Sequence, residues 1–403
     1  MISSDIELSD KFLDHDIPTR ELEAMMQECF RQAKQVSEDE VIYSDPDATN
    51  YSIRIKYEDN EIVSISGGPG LSNGKLDFLL NQIHSALVAE QGKAVGGNVL
   101  FNYYPTDGFF RYDDIFQLRP VPPEGPRPKG AVPDHPCVLE VSFKNSPNSI
   151  IRNLRGGAKI TELGLLLHTL LEGAIKLKPG TISSHWVLLP KECSKEKQFA
   201  YCQDWYKVSD MPVETSGFTS NENWKPMESV DPAKYYSDSD MIELRSLQVP
   251  SDLGTSIRKF YELDKKNRTV FLRACHWSHL STQIAEFSKS ASFVAKVSAI
   301  ETLLPKQIVK GVCSSCKREI KDGSTKTFKN FVEKFAHESG VSPKSKKELY
   351  RVRSKIVHGH DVLSADFFLQ HWGLHPRIWT SMQQFWALTQ VVKTVMYNWL
   401  HAQ

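Results

Sequence analysis

Two residues near the end of this 403-residue chain have the chemistry to act on a phosphodiester. Arg353 carries a planar, permanently charged fork that can grip two phosphate oxygens at once, which lysine cannot imitate. His358 titrates near neutrality, so its imidazole can take or give a proton at physiological pH. Five positions apart on a helix, the two lie about 140° apart around the axis and about 7.5 Å along it. They line one side of a cleft only if a second helix supplies the opposite wall. Spacing alone discriminates poorly, because Arg273/His279, Arg351/His358 and Arg353/His360 show similar intervals. The competing reading gives Arg353 an ion pair with Glu301. It makes His358 a polar helix-end residue that interacts with the last carbonyls.

The elements that must hold these residues are helical. Residues 346–358 have the apolar spacing of a helix, with Leu349, Val352 and Ile356 facing a core and Gly359 suited to end it. The same periodicity recurs over 253–263, 269–277, 284–304, 328–338 and 378–400, where Phe328, Phe331, Val332 and Phe335 form one stripe. Residues 246–403 therefore read as an all-α bundle domain. Lys346, Lys347, Arg351 and Lys355 are the candidate nucleic-acid contacts on the 346–358 helix. They belong to a segment, 305–360, with fourteen Lys or Arg against five Asp or Glu. Such a block attracts polyanions or is simply a solvated surface.

The run Tyr350-Arg351-Val352-Arg353-Ser354-Lys355-Ile356-Val357-His358-Gly359, downstream of a helix ending in Ala299-Ile300-Glu301, resembles the HEPN superfamily. The match is to its Apea-like branch. The family's hallmark is Arg, a polar residue, three or more further residues, then His, which Arg353, Ser354 and His358 fit. The resemblance covers roughly 250–400. It implies a helical bundle that dimerises and acts as a metal-independent endoribonuclease in prokaryotic defence or toxin systems, although some members only bind or scaffold. It further implies Arg353 and His358 as catalytic residues, with Ser354, Glu301 and Tyr350 in support. The products would be a 2′,3′-cyclic phosphate and a 5′-hydroxyl. RNA, a second copy of the chain and an antitoxin or trigger molecule are the implied partners. No cofactor is required for that chemistry.

The remaining sequence bounds the alternatives. Forty-nine basic and 49 acidic side chains balance, yet residues 1–61 hold sixteen acids against six bases. No apolar stretch approaches the length needed to span a bilayer, and the acidic start lacks the pattern of a signal peptide. Seven scattered cysteines do not make a disulfide framework. A cytoplasmic, soluble protein is the expectation.

Residues 1–245 read as an α+β region of unassigned role. Helices are expected over 19–36, 75–89 and 149–176, a hairpin over 51–66, and strands over 137–144 and 185–190. Seven prolines between Leu118 and Pro136 predict a stiff connector there. Ser66-Gly67-Gly68-Pro69-Gly70 lacks the Lys-Ser/Thr of a phosphate loop and reads as a turn. Asp134, Glu140 and Lys144 loosely suggest a metal-dependent nuclease, but an exposed pair between Glu140 and Lys144 explains their spacing equally well. Cys313 and Cys316 supply half of a tetrahedral site for a structural zinc. The other half would have to come from Cys275, His276, His279 or His337.

Overall fold

In a computed structural model of the chain, the described residues are 6–9, 17–45, 50–59, 61–88, 92–102, 104–121, 135–171, 175–177, 186–188, 199–201, 217–237, 246–285, 287–305, 309–312, 315, 319–321, 323–367 and 376–403. The chain forms two compact units, one of 1–96, 142–159 and 214–217, the other of 97–141, 160–213 and 218–403. Neither is a continuous stretch of chain.

The first unit contains β1 (Ile6–Glu7), α1 (Thr19–Phe30), β2 (Gln32–Ser37), β3 (Glu40–Ser44), β4 (Ile53–Glu58), β5 (Glu61–Gly67) and α2 (Asn73–Ile83), followed by a π-helical turn at His84–Val88. Its antiparallel sheet runs β1-β5-β4-β3-β2. Ile53, Ile55 and Ile65 are fully buried against Leu22, Met25, Met26 and Phe30 of α1, so the alternating pattern of residues 51–66 does mark a hairpin. The helix expected over 19–36 stops early. Arg31 takes a left-handed conformation, φ 55°, and residues 32–37 pair with β3 as an exposed strand. The glycine run after β5 is a turn whose Gly68 N–H donates to Ser52. A side chain at Gly68 would collide with the Tyr51 ring.

The chain continues through β6 (Lys93–Asn102), β7 (Phe110–Tyr112), β8 (Phe116–Pro120), β9 (His135–Lys144), α3 (Ser149–Leu170) and β10 (Ile175–Lys176). These strands form a sheet ordered β10-β6-β9-β8-β7. The expected connector thus begins as a strand, with Leu118 to Pro120 paired to β9. Residues 122–134 of it lie outside the described residues. Two short pairs follow, β11 (Trp186–Leu188) antiparallel to β12 (Phe199–Tyr201), and β13 (Ser229–Val230) parallel to β14 (Val249–Pro250), with α4 (Pro232–Ser237) between the last two strands.

From there the chain is helical: α5 (Leu253–Glu262), α6 (Lys265–Ile284), α7 (Lys289–Thr302), a hairpin of β15 (Val309–Val312) and β16 (Glu319–Lys321), α8 (Ser324–Phe335), α9 (Pro343–Val357), α10 (Ser364–Phe367) and α11 (Pro376–His401). All five long helical segments and the motif helix appear close to their expected positions. The small hairpin makes the region not purely helical. Helix α7 packs on both α6 and α11, and Phe271, Phe293, Ile300, Val391, Val395 and Leu400 of these helices are buried. An aromatic stack of Phe271 and Trp399, centroids 5.5 Å apart, closes one end. Among the described residues, no helix is long and apolar enough to cross a membrane.

Candidate active site on the basic helix

The motif helix α9 starts and stops on clear local signals. Ser342 caps it by accepting from the Ser345 N–H at 3.1 Å, and Pro343 follows at the first helical position. At the other end, the His360 N–H donates to Lys355 at 2.9 Å and the Gly359 N–H to Ile356 at 3.0 Å, with Gly359 at φ 70°. That pair of bonds around a left-handed glycine is a Schellman motif, and it makes His358 the C-cap residue just past Val357. Leu349 is buried, whereas Val352 and Ile356 are only half-buried and Val357 is 48% exposed.

Arg353 and Glu301 form an ion pair at 3.1 Å, about a quarter exposed on each side, which ties α9 to the end of α7. Glu301 accepts from one terminal nitrogen of the guanidinium. The Nε–H is buried and has no acceptor among the described residues. The guanidinium also lies 5.8 Å from the centroid of the Tyr350 ring, which in turn packs on Phe328 of α8 at 4.9 Å. Ser354 is half-buried, and its carbonyl accepts from the His358 N–H at 3.1 Å. His358 is exposed, its ring 6.3 Å from that of His360.

The basic residues of α9 divide. Lys347, Arg351 and Lys355 are exposed at four-residue intervals, one stripe along the helix. Arg351 pairs with Glu348 at 2.6 Å, and Lys355 lies 3.9 Å from Asp361. Lys346 leaves the expected surface. Its side chain is 8% exposed and its ammonium donates to the Ala336 carbonyl at the end of α8. Burial pushes that ammonium below its ordinary pKa. A lysine spent on an orphan helix-end carbonyl is not available to RNA.

The other candidate sites come apart. Glu140 is fully buried on β9 and accepts from Arg119 on β8 at 2.5 Å, with the Thr219 N–H at 2.9 Å. Lys144 instead donates to the Leu87 carbonyl at 3.2 Å, so the expected exposed pair is absent, and Asp134 lies outside the described residues. Cys313 and Cys316 also lie outside them. Cys275 is buried, its thiol pushed up to about 12 by desolvation, and His337 is exposed beside Glu338. No group of three or more His, Cys, Asp or Glu poised for a metal occurs among the described residues.

Two histidine sites escaped the sequence reading. His168 of α3 and His279 of α6 meet edge to face, with centroids 4.8 Å apart. The His168 Nδ1–H donates to the Ile175 carbonyl at 2.5 Å, and Nε2 of His279 accepts from the Leu177 N–H at 3.4 Å. Desolvation pushes their pKa values down to about 3 and about 4, so the pair is neutral. At the far end of α11, His401 Nε2 lies 2.9 Å from Ser256 and 3.7 Å from Asp252. A catalytic triad needs serine and carboxylate on opposite ring nitrogens. Here both reach the same one, and Ser256 is fully buried. No protein-family model, curated protein or solved structure matches this chain.

Proposed function

We propose that the helical region carries a metal-independent endoribonuclease site at Arg353 and His358. The observation that carries this reading is the guanidinium of Arg353. Glu301 and Tyr350 fix it with about a quarter of the side chain still exposed, so a phosphate oxygen can reach the fork. Exposed His358 stands at the end of the same helix, and Lys347, Arg351 and Lys355 offer charge for the strand. In this mechanism His358 removes the 2′-hydroxyl proton while Arg353 neutralises charge on the crowded phosphorane. The 2′-oxygen bonds to phosphorus as the 5′-oxygen leaves, giving a 2′,3′-cyclic phosphate and a 5′-hydroxyl. One imidazole cannot readily serve as base and acid together, so a second copy of the chain supplies the other. Val357 and Val362, exposed on either side of His358, suit such an interface.

A second reading is a non-catalytic RNA-binding or assembly module. The Arg353–Glu301 pair favours it, because that pair already gives the arginine a structural duty. His358→Ala separates the two readings. His358 is exposed, so the variant keeps the fold by circular dichroism and loses RNA cleavage by about 10²-fold or more. Cleavage at the original rate by a folded variant removes the nuclease reading and leaves the binding one.

A further inference from the structure

Away from the basic helix, α7 and α11 bury positive charge. Lys296 of α7 is 7% exposed and Lys393 of α11 is 8% exposed. The ammonium of Lys296 stands 5.3 Å from the centroid of Phe385, and that of half-buried Lys289 stands 5.4 Å from the same ring. Among the described residues, Lys296 has no hydrogen-bond acceptor and no ion-pair partner. Around its ammonium stand the Phe385 ring, the ammoniums of Lys289 and Lys393, and the neutral imidazole of His168, while Lys393 also donates to Gln390 at 3.5 Å. The carboxylate at this end of α7, Asp366, is engaged by Ser288 Oγ and the N–H groups of Lys289 and Ser290. Desolvation, together with Lys393 and Lys289, pushes the Lys296 pKa down to about 8, so at neutral pH the amine is still mostly charged.

An ammonium on so buried a side chain, beside an aromatic ring, a neutral imidazole and two other ammoniums, is unfavourable unless an anion approaches it. A cation–π contact offsets part of that cost, but Phe385 is shared between two lysines. We propose that Lys296, with Lys289 and Lys393, binds a small oxyanion, either inorganic phosphate or the phosphate group of a larger molecule. The site is separate from Arg353, and it stands or falls independently of RNA cleavage.

The test is thermal melting of the full chain at constant ionic strength in chloride, in low-millimolar inorganic phosphate and in a ribonucleoside monophosphate. At ligand about tenfold above half-saturation, the melting temperature rises by about 2 °C or more. A shift with the nucleotide alone assigns the phosphate to a larger molecule. Lys296→Met abolishes the shift and, in chloride, melts no lower than the parent, because it removes an uncompensated charge. Lys266→Met, at an exposed position on α6, keeps the full shift. If Lys296→Met does not fold, Lys289→Met replaces it and reduces the shift. The proposal is overturned if neither anion stabilises the parent, or if the shift survives at full size in the folded lysine variant.

Discussion

At the scale of single residues, the distinction that matters is between a charge in use and a charge on offer. Arg353 is both, held by Glu301 through one terminal nitrogen and still about a quarter exposed. Its planar fork allows this division of labour, and a lysine in its place would keep the charge while losing one of the two directions. Arg353→Lys is expected to cut RNA cleavage roughly a hundredfold or more with little change in melting temperature. Glu301→Ala is expected to cost about 1 kcal/mol of stability, since the pair is partly solvated. Denaturant melts and cleavage assays on both variants separate positioning from fold. An Arg353→Lys protein that cleaves normally would show that the fork is not used. The Arg353–Glu301 pairing was legible in the sequence because opposite charges stood on two amphipathic helices. Lys346 was misread because its partner, the Ala336 carbonyl, exists only once α8 ends beside it.

At the scale of elements, caps and periodicity carried most of what the sequence could say. Ser342-Pro343 and Gly359 bounded α9 correctly, and apolar spacing located five other helices of the same region. Failures came where tertiary pairing overrode a local pattern. Residues 32–37 continued a helical stripe yet became an edge strand, and Leu118–Pro120 joined β9 although prolines follow. Glu140 was expected to be exposed, and the neighbouring strand places Arg119 against it instead. The end of α9 gives a direct test. Gly359 holds φ 70°, a conformation that costs a non-glycine residue about 1 kcal/mol. Gly359→Ala is expected to destabilise by about that amount and to loosen His358, lowering cleavage more than the stability loss explains. A variant with unchanged stability would mean that the left-handed turn is not strained by a side chain.

At the scale of the molecule, the hidden feature was the histidine pair joining α3 to α6, 111 positions apart in the chain. The pairing could not be read from either helix alone, because each ring is buried by the other together with contacts to Ile175 and Leu177. Both have folded-state pKa values far below the ordinary histidine value of about 6.5, so the unfolded chain binds the extra protons first. The stability they contribute is therefore present above about pH 6.5 and is lost as pH falls toward their folded values. By pH 5 the loss is expected to reach up to roughly 2 kcal/mol per histidine. Melting temperature measured from pH 7 to pH 5, above the range where most carboxylates titrate, should fall, and His279→Gln should flatten the slope. A flat profile in the parent would place these rings in water.

The interleaving of the two units governs how the chain can fold as it is made. The first unit cannot close when residue 96 emerges from the ribosome, because residues 142–159, which bring Ile151 to its core and Arg155 to Glu21, are synthesised later. The second begins at residue 97 but waits for α11 to stack Trp399 on Phe271. Strands β6 and β9 and helix α3 pass from one unit into the other, so each nascent unit holds half-finished elements belonging to its neighbour. Helix α9 likewise gains its packing against α11 only after residues 376–401 have been made.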